Sequence, residues 1–93
     1  MALFAVAITF VEDEERRLKV RPTHREYLQT LLDAGKLHES GPYTDDSGAL
    51  LIYDAENEAE VKEIVANDPY TAGGVIGDTT IKEWNVVFSR MKG

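Results

Sequence analysis

The first feature of the hydrophobic pattern is a run of apolar residues. If this run is extended, its side chains are hydrophobic on both faces. Residues 3–10 contain one polar side chain, Thr9, and neither glycine nor proline. β-Branched and aromatic residues are frequent in this run, which predicts a strand. Because the side chains on both faces are apolar, we expect both faces of the strand to be covered.

The hydrophobic period then changes to that of a helix. Residues 22–34 place four apolar side chains on one stripe: Tyr27, Leu28, Leu31 and Leu32. Gly35 follows at the position where a helix commonly ends. A helix over residues 22–34 is therefore predicted.

The start of this helix is open between two alternatives. Thr23 with Glu26 has the spacing of a capping box, whereas Pro22 at the first helical position would make Arg21 the N-cap. Both alternatives place His24 in the first turn. A helix N-terminus disfavours the imidazolium form, so His24 is expected to be neutral, as a general base requires.

The middle of the chain predicts an antiparallel pair of strands followed by a second helix. Residues 36–40 form a short strand that ends at Gly41 and Pro42, and the turn residues 45–48 lead into a strand over residues 49–53. Asn57 is then placed to cap a helix. The apolar face of that helix consists of Ala59, Val61, Ile64 and Val65.

The last part of the chain predicts a loop and a final strand. Pro69 bars a clean continuation of the second helix, and the glycines within residues 70–77 indicate a loop or broken turn. Residues 80–88 alternate as a strand does, with Ile81 and Glu83 on one side. The opposite side carries Trp84, Val86 and Phe88.

The order β-α-β-β-α-β predicts a single α+β domain over residues 1–93 with a ferredoxin-like fold. In this fold two helices cover one face of a four-stranded antiparallel sheet. The far face is left bare, although the first strand is apolar on both faces. An exposed apolar patch of that kind is a liability for a monomer, so we predict a homodimer in which two sheets face each other.

Composition and charge narrow the possible functions. The chain has 93 residues, no cysteine and a net charge of −7. Disulfides and thiolate metal sites are therefore excluded. The acidic balance argues against nucleic-acid binding, and no uncharged stretch approaches the ~20 residues of a membrane span. We expect a cytoplasmic protein with a small-molecule ligand.

The charges are unevenly distributed along the chain. Four acidic residues, 12–15, are followed by five of the ten Lys and Arg residues: Arg16, Arg17, Lys19, Arg21 and Arg25. The ordinary interpretation is a solvated loop whose charges partly pair, because exposed pairs contribute only ~0–1 kcal/mol. Arg21 stands apart as a candidate contact for an anion beside a helix start.

His24 and Asp68 are the two candidate chemical groups. His24 lies four residues before Leu28, on the buried stripe of the first helix, and Asp68 lies four residues after Ile64, at the end of the second. Each has an ordinary alternative, a core histidine and an Asp-Pro turn. A pairing would explain both positions, because the carboxylate could orient the ring and stabilise its protonated form.

Other motifs add candidate ligand contacts but no cofactor. Ser40 and Pro42 share a side of the second strand with His38, and Tyr70 lies near a turn. No metal-ligand spacing, phosphate-binding glycine motif or nucleophile elbow is present in the sequence. We therefore predict neither a metal nor a cofactor.

Several short motifs, taken in order, resemble the YciI-like (YCII-related) proteins. They are Arg21-Pro22-Thr23-His24, Tyr27-Leu28, Leu31, Gly35-Lys36-Leu37, Ser40-Gly41-Pro42, Asp46-Ser47-Gly48, Asp68-Pro69-Tyr70 and Ile81-Lys82-Glu83-Trp84. The resemblance covers nearly the whole chain. The charged run over residues 12–19 departs from the family pattern and is expected to lengthen the approach to the first helix.

The resemblance implies a ferredoxin-like dimer of the dimeric α+β barrel superfamily, similar in architecture to muconolactone isomerase. The family's histidine and aspartate correspond to His24 and Asp68, and its arginine corresponds to Arg21. Its Gly-Pro corner corresponds to Gly41 and Pro42.

Two functions from different classes remain open. The first is a cofactor-independent enzyme of lyase or isomerase type, in which His24 moves a proton on a small anionic or carbonyl compound, Asp68 orients it and Arg21 holds the anion. The second is a non-catalytic dimeric binding module in which the pair only completes a buried hydrogen bond. An open cavity beside the pair would favour the first.

Overall fold

The computed structural model describes residues 2–90, which form a four-stranded antiparallel sheet with helices on one side. The elements are β1 (Ala2–Phe10), α1 (Glu14–Asp33), β2 (Leu37–Pro42), β3 (Gly48–Ala55), α2 (Glu58–Ala66), α3 (Pro69–Ala72) and β4 (Ile76–Trp84). The strands lie in the order β2-β3-β1-β4. The predicted ferredoxin-like α+β class is confirmed.

The core lies between the sheet and the helices. Phe4, Val6 and Ile8 of β1 are all nearly fully buried, and Val6 lies opposite Leu51 of β3. Burying a side chain of this size stabilises the fold by ~1.5–3 kcal/mol. The other face of β1 is only partly covered, and Ala5 there is half-buried.

Helix α1 begins much earlier than its predicted start between residues 21 and 23. Asp13 is the N-cap, and its side chain accepts a hydrogen bond of 3.0 Å from the backbone N–H of Arg16. The negative charges of Glu14 and Glu15 in the first turn interact favourably with the positive end of the helix dipole. The charged run interpreted as a loop is therefore the first part of α1, and that interpretation was wrong.

Two consequences follow from the longer helix. Pro22 lies inside α1, where its ring removes one backbone hydrogen bond at a cost of about 3 kcal/mol. His24 lies in the middle of α1 and not in its first turn, so the expected effect of a helix N-terminus on its ring does not apply. Contacts with α2 hold α1 in place despite the proline: Tyr27 donates a 2.7 Å hydrogen bond to the carbonyl of Ile64 at the end of α2.

A β-bulge in β2 changes which side chains face the helices. Leu37 lies opposite Tyr53, but the register shifts before Glu39, and Ser40 then lies opposite Leu51 on the helical side. The bulge lies at His38, between Leu37 and Glu39, so the regular alternation that placed His38 on one side with Ser40 and Pro42 does not apply there.

The end of the chain also differs from its predicted boundaries. Asn57 caps α2 as predicted, accepting from the N–H of Glu60 at 2.9 Å. Part of the expected loop is the short helix α3, and its N-cap is Asp68. Strand β4 ends at Trp84 and does not extend to residue 88, because Trp84 lies opposite Leu3, one residue after the start of β1.

Candidate functional site

A cavity of about 270 Å³ lies between α1 and the β2–β3 end of the sheet. Six of the seven predicted site residues line it: Arg21, His24, Ser40, Gly41, Pro42 and Tyr70. Ser40 and Pro42 are brought to it by the bulge in β2. Asp68, the seventh, contacts His24. The structure therefore brings together residues that are distant in sequence.

His24 and Asp68 form a buried pair at this cavity. Nδ1 of His24 is 2.7 Å from Oδ1 of Asp68, and the two residues are 7% and 3% exposed. The same carboxylate oxygen accepts the backbone N–H of Tyr70 at 2.9 Å, as the cap of α3. Because an ionised carboxylate only accepts hydrogen bonds, Nδ1 carries the proton and Nε2 is the nitrogen left for a ligand.

The ring of Tyr70 fixes the plane of the histidine. The His24 and Tyr70 rings stack with centroids 3.6 Å apart and an interplanar angle of 3°. Burial raises the pKa of Tyr70, while the charges of Arg21, Arg17 and Arg25 act in the opposite direction. The phenol therefore stays protonated near neutral pH, where its hydroxyl can donate a hydrogen bond.

Three arginines give the cavity a positive wall. Arg17, Arg21 and Arg25 are spaced four residues apart, so they follow one face of α1, and all three line the cavity with His24. In a chain of net charge −7 this is a local concentration of positive charge. Guanidinium groups bind carboxylates and other anionic oxygens well.

Sequence reasoning identified Arg21 but missed Arg17 and Arg25. Their four-residue spacing was visible, yet it carries meaning only if one helix spans all three positions. The predicted start near residue 22 left Arg17 outside the helix. An N-cap at Asp13 would have placed the three arginines on one face with His24.

Residues 2–90 contain neither a cluster of metal-ligating side chains nor a membrane-spanning helix. In that part of the chain no group of three or more His, Cys, Asp or Glu side chains has the arrangement of a metal site. No helix within these residues has the length and apolar character needed to cross a membrane.

Comparisons with known sequences give consistent matches. The family model for the YCII-related domain matches residues 2–85. Protein YciI of Escherichia coli O6:H1 is 36% identical over 84 residues, which cover 80% of this chain and 86% of that protein. The derivative of benzaldehyde biosynthesis cluster protein C of Emericella nidulans is 34% identical over 76 residues, covering 70% and 78%.

Comparisons with solved structures agree on the fold. The 5-chloro-2-hydroxyhydroquinone dehydrochlorinase TftG of Burkholderia phenoliruptrix AC1100, solved with 2,5-dihydroxybenzoquinone, is 30% identical with a TM-score of 0.79. The match covers 89% of this chain and 93% of that one. An antibiotic biosynthesis monooxygenase has a TM-score of 0.59 at 17% identity, covering 91% and 98%, and supports the fold alone.

Proposed function

The chain belongs to the YCII-related domain family, and on that premise we propose that it is a small, cofactor-independent enzyme of lyase or isomerase type. Its substrate is a small compound with an anionic or carbonyl oxygen. The observation that carries the proposal is a histidine oriented by a buried aspartate at an open cavity with an arginine-lined wall. A sealed pair would have favoured a purely structural role.

His24 is the proton-transfer group of the proposed reaction. Nε2 takes a proton from the substrate, and the Asp68 carboxylate stabilises the imidazolium ion that forms. In an elimination, the electrons of the broken C–H bond form a double bond, and the leaving group departs with its own bonding pair. In an isomerisation, the imidazolium returns the proton to another atom of the same substrate.

The remaining residues of the cavity hold the substrate and stabilise developing charge. Arg21 and Arg25 attract anionic oxygens, and the protonated hydroxyl of Tyr70 can donate to an oxygen that gains charge in the transition state. Ser40 adds a hydroxyl beside Gly41 and Pro42 at the end of β2. The volume of about 270 Å³ suits a small ligand.

The dehydrochlorinase neighbour supports this reaction class. Loss of HCl from a carbon skeleton is an elimination, and the name of that neighbour describes a hydroxylated aromatic substrate. For this chain we propose the general class, proton transfer on a small acidic compound, and include hydroxyquinones among the compounds to be tested.

The experiment that tests the proposal begins with a ligand screen. Small carboxylates, lactones and hydroxylated quinones are ranked by thermal shift, and turnover of each hit is followed by mass spectrometry. His24→Gln is compared with His38→Gln, which makes the same change at an exposed histidine outside the cavity. Equal turnover by both variants would contradict the proposal.

A second candidate function is a non-catalytic binding module. The observation favouring it is that Asp68 already has a structural role as the cap of α3 through the N–H of Tyr70. In that case His24 completes a buried polar pair and the cavity holds a ligand without converting it. Stability and turnover measured on the same variants separate the two functions.

The predicted homodimer is part of this proposal. A groove of about 420 Å³ on the sheet face opposite the helices is lined by Leu50, Ile52 and Trp84. Leu50 and Trp84 are 40% and 45% exposed there, so a second sheet would bury apolar area. Ser40, Gly41 and Pro42 line both this groove and the cavity, which links the proposed interface to the site.

A further inference from the structure

Arg17 is a largely buried charge whose guanidinium has no hydrogen bond to a carboxylate within residues 2–90. Its side chain is 9% exposed, and its guanidinium lies 4.9 Å from the centroid of the Phe10 ring. The nearest carboxylate is Asp46, with 3.7 Å between Nη1 and Oδ1. That distance is longer than a hydrogen bond, so the guanidinium keeps N–H donors for an anionic group of a ligand. Arg17 lines the same cavity as His24.

Asp46 is held by a small, exposed turn. Its side chain is 66% exposed, and its φ of 60° is the one positive value for a non-glycine residue within residues 2–90. Its backbone N–H donates to the carbonyl of Tyr43 at 2.9 Å. The backbone of this turn therefore has its own hydrogen bonds, and the Asp46 side chain is free to rotate into solvent without breaking them.

The side of Arg17 away from His24 is unsuited to an anion. A neighbouring depression that Arg17 and Asp46 also line includes three further acidic residues: Glu12, Glu14 and Asp45. An anionic group would be repelled there. It would reach Arg17 from the His24 cavity, where Arg21 and Arg25 add positive charge.

The geometry points to a second anion subsite at Arg17, in which Asp46 is a displaceable counter-ion. In the free protein the Asp46 carboxylate partly neutralises Arg17. In the complex an acidic group of the substrate takes its place and forms direct hydrogen bonds to the guanidinium, while another part of the substrate lies at His24. The substrate is then a compound with a distinct acidic group in addition to the reacting centre. This inference rests on the proposed function, because it assumes that the cavity binds a ligand.

Substituting Asp46 tests the inference directly. Asp46→Asn removes the competing charge, and asparagine tolerates the positive φ of this position. Asp45→Asn is the matched control, because it removes the same charge from the adjacent residue, which does not line the His24 cavity. Binding of 2,5-dihydroxybenzoquinone and of benzoate, which differ in the source of the anionic oxygen, is measured by calorimetry at low salt.

We expect Asp46→Asn to lower the Kd of at least one probe by about two- to fivefold relative to Asp45→Asn, the size expected for an ion pair in which the carboxylate is exposed. The difference should vanish when Arg17 is also replaced by glutamine, or shrink in 0.5 M salt if the double variant does not fold. Equal Kd values for the two single variants would overturn the inference, as would the absence of binding to Asp46→Asn. Neither result concerns His24, so a failure here is distinguishable from a failure of the proposed function.

Discussion

Nδ1 of His24 lies 2.7 Å from Oδ1 of Asp68, although 44 residues separate the two in sequence. The contact joins the middle of α1 to the N-cap of α3. Because Asp68 also accepts the N–H of Tyr70, and Tyr70 stacks on His24, two linked residues fix one imidazole ring. The ring is thereby oriented with Nε2 available to a ligand.

Asp68→Asn should lower turnover while leaving ligand binding measurable. The amide oxygen can still accept from His24 Nδ1 and from the Tyr70 N–H, but it cannot stabilise the imidazolium through charge. Because a buried polar pair is weakened, we also expect the free energy of unfolding to fall by about 1–3 kcal/mol. Denaturant unfolding and calorimetry on the same preparation measure both effects. Unchanged turnover per folded molecule would remove Asp68 from the mechanism.

Arg21→Gln should mainly raise the apparent Kd of an anionic ligand, with a smaller effect on kcat. Its charge attracts the ligand in the ground state and in the transition state alike, so uniform binding is lost. Lys19→Gln is the control, since it removes the same charge from an exposed position of α1 that does not line the cavity. Equal Kd values for the two variants would show that Arg21 does not contact the ligand.

The ion pair between Lys36 and Glu60 should make the stability of the fold depend on pH in the acidic range. Hydrogen bonds from Lys36 and from the backbone N–H of Glu56 lower the pKa of Glu60 below its ordinary value of 4.5. A lowered folded-state pKa gives stability that is present above the unfolded pKa and is lost as the pH falls through the folded one. The melting temperature of wild type should therefore exceed that of Glu60→Gln near pH 7, and the difference should narrow below about pH 4. A constant difference from pH 7 to pH 3 would contradict this.

Trp84→Glu should shift the protein from dimer to monomer. The indole is 45% exposed on the sheet face without helices, and a carboxylate there would be desolvated or repelled in a sheet-to-sheet interface. Sedimentation velocity at micromolar concentration measures the assembly, and Leu32→Glu, at an apolar residue of α1 that is 47% exposed, is the control. Wild-type protein that sediments as a folded monomer would contradict the predicted homodimer.

The fold was predictable because β1, the second half of α1 and α2 each have a clear hydrophobic period. Phe4, Val6 and Ile8 alternate as a buried strand face, and these residues face the helices in the structure. The pairing of His24 with Asp68 was also predictable in outline, since each polar residue continues an apolar stripe. Their relative placement depends on α1 packing beside α3, which no local pattern specifies.

The features that were predicted wrongly or missed are those set by tertiary structure. Pro22 suggested a helix start, but the cap at Asp13 and the packing of α1 overrode this local signal. The bulge before Glu39 has no signature in the sequence, yet it decides that Ser40 faces the cavity. Arg17 could be recognised as a site residue only after both the helix start and the turn at Asp46 were known.

One measurement decides whether His24 is the proton-transfer group. It is the turnover by His24→Gln per folded molecule, measured beside the melting temperature, on the ligand that the screen identifies. Glutamine keeps a polar side chain but cannot act as a base near neutral pH. If His24 is that group, kcat falls by about 10²- to 10⁴-fold, the ligand still binds, and His38→Gln is as active as wild type. A His24→Gln protein that is destabilised but turns over normally per folded molecule would show that His24 does not transfer the proton.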